Sequence, residues 1–185
     1  MRYPPQRINR ARAGLVIVDM QEHLLPVMAE PERVVQNVVR LARAATLLSL
    51  PVFSTEQYRK GLGPTVLEVA EAIPGFAPIE KLSFSVCGAP GFTAGLEYHR
   101  ISDIILCGVE AHVCVLQSCL DLLEQKLHVF AVADATSSRT LENHQHGLAR
   151  MRETGAVIVS MEMIVFELLQ RAGTDEFRKI LPLVK

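Results

Sequence analysis

The stretch DIILCGVEAHVCV, residues 103–115, decides the fold class of this chain. Its first part, residues 103–108, is a continuous apolar run of the kind that forms a strand buried on both faces of a parallel sheet. Its second part passes through one tight turn into a helix predicted from about Ala111 to Gln125. A strand that leads directly into a helix in this way is the beginning of a β-α-β unit.

Segments of the same two kinds alternate along the rest of the chain. Apolar β-branched runs predict strands, helical spacing of apolar residues predicts helices, and residues 56–78 are irregular with one short helix near 66–73. Strands are predicted at 14–18, 51–55, 103–108, 128–133 and 156–160, helices at 32–49, 111–125, 142–154 and 161–171, and a short strand or extended loop at 81–86. This order predicts an α/β fold, a single-domain three-layer α-β-α sandwich with a mainly parallel sheet and right-handed crossovers.

Length and composition fit one globular domain and exclude several function classes. The 185 residues are 49% hydrophobic and 21% charged, and we place the domain at 13–185 after a mobile basic arm, 1–12. A net charge of −1 gives no electrostatic basis for nucleic-acid binding, and no apolar run approaches the ~20 residues of a membrane span. Four cysteines without zinc-type spacing, and no signal-peptide segment, predict a cytoplasmic protein.

Three side chains follow predicted strands and could carry chemistry. In a parallel sheet the carboxyl ends of the strands form one edge, and ligands bind there. Asp19 ends the first strand and could be a general base, Lys81 follows a proline-bounded loop, and Cys114 lies in the first turn of its helix. That position predicts a lowered pKa for the Cys114 thiol, and the same turn can aim backbone N–H groups at an oxyanion.

Each of these residues also has an ordinary structural interpretation. Cys114 could be a small buried hydrophobic residue, Asp19 a turn or N-cap carboxylate, and Lys81 a solvated side chain. The three residues together point to chemistry more specifically than any one of them does alone. A nucleophile, a base and a cation at the strand ends of one sheet indicate acyl transfer.

Three separated motifs, in the same order, resemble the signatures of the isochorismatase-like cysteine hydrolases across about residues 14–169. Within that family the chain looks most like the isochorismatase domain-containing proteins. The three signatures are residues 15–21 (LVIVDMQ), the segment around Lys81 and residues 106–115 (LCGVEAHVCV), and the narrower similarity lies in residues 55–58 (TEQY), 61–66 (GLGPTV), 84–85 (FS) and 134–139 (DATSSR).

The resemblance implies an isochorismatase-like fold with Rossmann-like topology and a catalytic triad of Asp19, Lys81 and Cys114. It also implies a cis peptide bond between Val109 and Glu110, which turns the backbone amides of Glu110 and Cys114 toward a common oxyanion. Oligomers are common in the family, so we expect a homo-oligomer. The apolar positions near the end of the chain could belong to the core or to a subunit interface: Met161, Ile164, Val165, Leu168 and Leu169.

The chain departs from metal-dependent relatives such as nicotinamidases, which carry an Asp-x-His pair after the second strand. The equivalent residues here, 54–58, contain no histidine, and Glu56 alone is a poor transition-metal site. We therefore predict no metal and no other cofactor, which also counts against nicotinamide as the substrate. Tyr58 and Phe84 are candidate walls of the substrate pocket or ordinary packing residues, and the further pocket candidates are Glu56 and His112.

Together these features predict a metal-independent cysteine hydrolase that cleaves a C–N bond of a small amide-like substrate through a thioester. Two alternatives stay open. The same fold could serve as a non-catalytic or redox-responsive binding module, because reactive thiols also act as oxidation sensors. The second alternative is a C–O hydrolase of the isochorismate type, although the family members with that activity share the absence of the nucleophilic cysteine.

Overall fold

The structure is a computed structural model that describes residues 7–185 of the chain. In that part of the chain the strands are β1 (Ala13–Val18), β2 (Val52–Gln57), β3 (Ile79–Lys81), β4 (Asp103–Val109), β5 (His128–Ser137) and β6 (Val157–Val159). They form one six-stranded parallel sheet in the spatial order β3-β2-β1-β4-β5-β6. The predicted α/β fold with a parallel sheet is confirmed.

Helices cover both faces of this sheet. The same residues form the helices α1 (Pro31–Leu47), α2 (Arg59–Leu62), α3 (Leu67–Glu71), α4 (Phe92–Tyr98), α5 (Leu116–Glu124), α6 (Leu141–Glu153), α7 (Met161–Leu169) and α8 (Asp175–Val184). One apolar core contains side chains of α1, α3, α7 and α8, and a second contains side chains of α4, α5 and α6. The apolar positions of α7 that could have faced a partner subunit are therefore part of the first core.

The central strand shows why an unbroken apolar run forms here. All six residues of β1 are buried. Leu15 and Ile17 belong to the core on the α1 face, whereas Val16 and Val18 belong to the core on the α5 face. A strand covered on both faces needs apolar residues at every position, which explains the absence of polar alternation.

The strand order switches sides at β1: β2 and β3 are added to one side of β1, and β4, β5 and β6 to the other. β1 pairs with β2 on one side and with β4 on the other. The loops that leave the carboxyl ends of these two strands therefore diverge and open a crevice, the usual ligand site of open parallel sheets. Asp19 follows β1 and Cys114 follows β4, so the topology brings both to this crevice.

The structure contains more helix than the sequence predicts. Residues 56–78 form two short helices, α2 and α3, where one is expected, and α4 and α8 lie outside every predicted helix. Gly95 lowers the helix propensity of α4. It also lets the ring of Phe53 lie against the helix, since a Cβ at position 95 would be 2.7 Å from that ring. Burial of Phe92 and Leu96 holds α4 in place despite the glycine.

The expected N-terminal arm, 1–12, lies partly outside the described residues. Of the part that is described, Ile8 is buried in the α1-side core, and the Asn9 N–H donates to Asp103 Oδ2 at 2.7 Å. Arg10 donates to both carboxylate oxygens of Glu176 at 2.8 Å. Residues 8–10 are thus fastened to the domain. Among residues 7–185, no helix combines the length and the apolar character needed to cross a bilayer.

Candidate active site

A buried ion pair lies at the carboxyl edge of the sheet. Asp19, the residue directly after β1, adopts a left-handed backbone conformation with φ 52°, and Lys81 is the last residue of β3. Lys81 Nζ donates to Asp19 Oδ2 at 2.7 Å, and both side chains are fully buried. The structure therefore brings together two of the three predicted residues although 62 positions separate them along the chain.

Neutral groups complete the coordination of both charges. Thr55 Oγ donates to Asp19 Oδ1 at 2.7 Å. A second N–H of Lys81 Nζ donates to Gln57 Oε1 at 2.8 Å, and the third is shared between the carbonyl oxygens of Phe84 at 3.0 Å and Ser83 at 3.2 Å. A buried ion pair is tolerated only when its remaining lone pairs and protons are satisfied in this way. The ammonium is consequently held as a fixed cation.

Cys114 approaches the pair from β4. It lies in a single π-helical turn, Ala111–Val115, and Cys114 is 6% exposed. The peptide bond between Val109 and Glu110 is cis. Gly108 precedes it with φ 108°, and a Cβ there would lie 2.1 Å from the carbonyl oxygen of Val18. Only glycine allows β4 to pass so close to β1 at this point.

The charges of the pair act on the Cys114 thiol. Burial and the negative charge of Asp19 raise the pKa of the thiol to about 12, while the Lys81 ammonium lowers it. The lowered pKa expected from the helix start is therefore wrong, because burial and the Asp19 carboxylate raise the pKa instead. Burial also raises the pKa of Asp19, against the opposing effects of Lys81, Thr55 and a hydrogen bond with Cys114. At neutral pH the sulfur holds its proton and requires an acceptor, and Asp19 is the carboxylate that shares a hydrogen bond with it.

This pKa predicts a loss of stability at alkaline pH. The folded-state pKa of Cys114, about 12, lies above the ordinary value of 9.0, so its contribution is fully present below pH 9 and disappears as the pH rises toward 12. Over that interval, Cys114 should lower the free energy of unfolding by about 1.4 kcal/mol per pH unit. Urea unfolding under reducing conditions between pH 8 and 10.5 should give a shallower slope for Cys114→Ala than for the wild type. Parallel slopes would contradict the raised pKa.

The four predicted pocket residues have different environments. Tyr58 and Phe84 are about half exposed, at 53% and 52%. Phe84 belongs to the loop whose carbonyls accept from Lys81 Nζ, and the Tyr58 N–H donates to the Lys81 carbonyl at 3.0 Å. His112 is partly buried, and its Nδ1 lies 2.9 Å from the hydroxyl of Ser138.

Glu56, in contrast, is fully buried and already engaged. Its Oε1 accepts hydrogen bonds from the N–H and hydroxyl of Thr65 at 2.7 and 2.8 Å, and Arg59 donates to Oε2 at 2.5 Å. These bonds anchor the loop between α2 and α3. They also leave few lone pairs for a metal, and within residues 7–185 no group of three His, Cys, Asp or Glu side chains is placed to hold one.

Sequence reasoning missed the neutral partners of the ion pair. Thr55 and Gln57 lie at the carboxyl end of β2, so the strand-end rule that selected Asp19 could also have selected them. Gln21, the last residue of the first motif, has a structural role that the sequence does not reveal. Its side chain joins the segment after β1 to β2 by donating to the Gln57 carbonyl at 3.0 Å and accepting from the Gln57 N–H at 2.7 Å.

Comparison with known sequences shows one family across most of the chain. The family model of the isochorismatase domain matches residues 13–163. The isochorismatase domain-containing protein 2A of Mus musculus is 36% identical over 180 residues, which cover 97% of this chain and 85% of that protein.

Solved structures show the same relationship. MAR1 ribonuclease from Caenorhabditis elegans superposes with a TM-score of 0.92 at 35% identity, with coverage of 97% of this chain and 92% of that one. YcaC from Pseudomonas aeruginosa, solved with hexane-2,5-diol and covalent acrylamide, gives a TM-score of 0.91 at 26% identity, with coverage of 98% and 93%.

Proposed function

The chain belongs to the isochorismatase family, and we propose that within it the protein is a metal-independent cysteine hydrolase that cleaves the C–N bond of a small amide-like substrate. The observation that carries this proposal is the buried Lys81–Asp19 pair, 2.7 Å apart, whose charges act on the Cys114 thiol. A purely structural cysteine does not need a buried carboxylate and ammonium beside it, because burying both charges costs free energy.

In the first half of the proposed reaction, Asp19 accepts the Cys114 proton as the sulfur forms a bond to the substrate carbonyl carbon. The carbonyl π electrons move onto its oxygen, and the backbone N–H groups of Glu110 and Cys114 stabilise that oxyanion. When the carbonyl re-forms, the C–N bond breaks, and Asp19 transfers its proton to the leaving nitrogen. The products are an amine and a thioester on Cys114.

The second half returns the enzyme to its starting state. Asp19 removes a proton from water as the water oxygen attacks the thioester carbon. The C–S bond then breaks, the acid product leaves, and the Cys114 sulfur regains a proton from Asp19. The Lys81 ammonium stabilises whichever partner carries the negative charge.

The Pseudomonas aeruginosa relative supports a reactive thiol. Its structure contains covalent acrylamide. Acrylamide is an electrophile that alkylates thiolates, so the adduct is the product expected where a cysteine on this fold is nucleophilic.

We propose further that the protein acts in the cytoplasm as a homo-oligomer. Cys87, Cys107, Cys114 and Cys119 are all free in the described part of the chain, as expected in a reducing compartment. The oligomer rests on the family membership alone, and sedimentation velocity at micromolar concentration tests it.

An acyl-enzyme experiment tests the proposed reaction. Small amides, ureas, carbamates and esters are mixed with the protein, and intact-mass spectrometry after acid quenching follows covalent addition. We expect at least one compound to add the mass of its acyl group, mapped to Cys114, and to be hydrolysed. Turnover without an acyl group on Cys114, cleavage confined to vinyl ethers or RNA, or peroxide-dependent partner binding without hydrolysis would each overturn the proposal.

A further inference from the structure

A buried serine connects the helix of the candidate nucleophile to the loop that holds the lysine. Ser118 lies in α5 with no exposed surface. Its hydroxyl donates to the carbonyl oxygen of Cys114 at 2.6 Å, the bond that helical serines commonly form with the residue four positions earlier. The same oxygen accepts the N–H of Val86 at 3.0 Å, from a segment 32 positions away. The second bond is therefore a tertiary contact.

The Val86 end of this link belongs to the loop that coordinates Lys81. The carbonyl oxygens of Ser83 and Phe84 accept from Lys81 Nζ, three and two residues before Val86, where Ser118 holds the loop. Within the loop, the Ser83 hydroxyl donates to the Ser85 carbonyl at 2.9 Å. A continuous path of hydrogen bonds and short backbone segments thus runs from Cys114 to the Lys81 ammonium.

We propose that Ser118 is a positioning residue that fixes the position of Cys114 relative to Lys81, an inference that rests on the proposed function. The hydroxyl has one proton, which goes to the Cys114 carbonyl, so its oxygen is left to accept from Val86. Hydrogen bonds arranged in such a chain polarise and strengthen one another. The hydrogen bonds of Ser118 go to the backbone of Val86 and Cys114 and not to the sulfur or the ammonium. Ser118 instead fixes the backbone segments that carry Cys114 and the carbonyl oxygens around Lys81.

Removal of the hydroxyl has a defined consequence at the sulfur. In Ser118→Ala, the buried Val86 N–H loses its acceptor, so the segment carrying the Ser83 and Phe84 carbonyls can shift away from α5. Lys81 then moves relative to Cys114 and stabilises the thiolate less. If this weakening equals one pKa unit, the thiolate fraction at a given pH falls about tenfold.

The test measures the rate of iodoacetamide alkylation of Cys114 between pH 7 and 9, with the modified residue identified by peptide mass spectrometry. Below the thiol pKa this rate is proportional to the thiolate fraction. We expect Ser118→Ala to react about tenfold more slowly than the wild type. Combining it with Lys81→Ala should give no further slowing beyond Lys81→Ala alone, because both changes remove the same stabilisation.

Matched variants separate positioning from general destabilisation. Ser54 is also a buried serine, but its hydroxyl has no hydrogen-bond partner within residues 7–185, so Ser54→Ala should react at the wild-type rate. If Ser118→Ala does not fold, Ser118→Cys replaces it, since a thiol is a weaker donor and acceptor, and an intermediate rate is expected. Wild-type rates in the Ser118 variants, or additive slowing with Lys81→Ala, would overturn the inference. The proposed function fails separately, if substrate turnover leaves no acyl group on Cys114 in the acyl-enzyme experiment.

Discussion

Replacing Cys114 with alanine is expected to abolish hydrolysis, by about 10⁴-fold or more, because the substitution removes the atom that forms the covalent intermediate. The fold should survive. The deleted group is small and buried, so the loss in unfolding free energy should be about 1 kcal/mol, the scale of one buried methylene. Steady-state kinetics on any substrate found in the screen, together with urea unfolding, measures both effects.

Cys119→Ala provides the matched control for this experiment. Cys119 is a fully buried thiol in the adjoining helix, and burial raises its pKa to about 12 as well. It has neither Asp19 nor Lys81 among the causes of that shift. Its alanine variant should keep full activity with a similar loss of stability. Substantial turnover by Cys114→Ala would end the cysteine mechanism, and equal losses in both variants would indicate a structural effect.

The sheet and two of the three candidate residues could be predicted because their signals are local. Asp19 and Cys114 follow long apolar runs directly, and parallel strands must end at a common edge. Lys81 was harder to choose from sequence, since β3 has only three residues and its register follows from pairing with β2. Its assignment depended on family resemblance as much as on pattern.

The strand-end rule places Thr55 and Gln57 at the correct edge of the sheet, but it does not predict which partner each of them contacts. Thr55 reaches Asp19 across 36 positions, and Gln57 reaches Lys81 across 24. Polar residues in such positions are compatible with a strand edge or a loop, and only the folded arrangement decides between them. The same holds for Glu56, a pocket candidate whose carboxylate oxygens accept hydrogen bonds from Thr65 and Arg59 in the folded chain.

The direction of the Cys114 pKa shift also could not be predicted from the sequence. A position at the start of a helix is visible in the sequence and predicts a lower pKa. The desolvation and the Asp19 charge that raise it depend on tertiary packing. The reversal changes the mechanism, because a protonated thiol requires Asp19 as a base, whereas a preformed thiolate would not.

The largest loss of stability is expected from Lys81→Met, which removes the charge but keeps an apolar side chain of similar length. Asp19 is then left buried without its cation, and breaking a buried pair in this way costs about 3–5 kcal/mol at neutral pH. Because Lys81 lowers the pKa of Asp19, its loss raises that pKa further above the ordinary value of 3.8. The contribution of a carboxyl with a raised folded-state pKa is present below pH 3.8 and disappears as the pH rises through that higher value.

The deficit of Lys81→Met relative to wild type should therefore be small near pH 3.5 and should grow toward neutrality, as measured by urea unfolding across that range. Adding Asp19→Asn should recover most of the lost stability, because a neutral pair has no uncompensated charge. The exposed Lys60 gives the control, and Lys60→Met should change stability by about 0.5 kcal/mol or less. A stability deficit that is independent of pH, or that Asp19→Asn leaves unchanged, would mean that Lys81 contributes packing rather than charge. In that case Lys81→Met would also leave the reactivity of Cys114 unchanged.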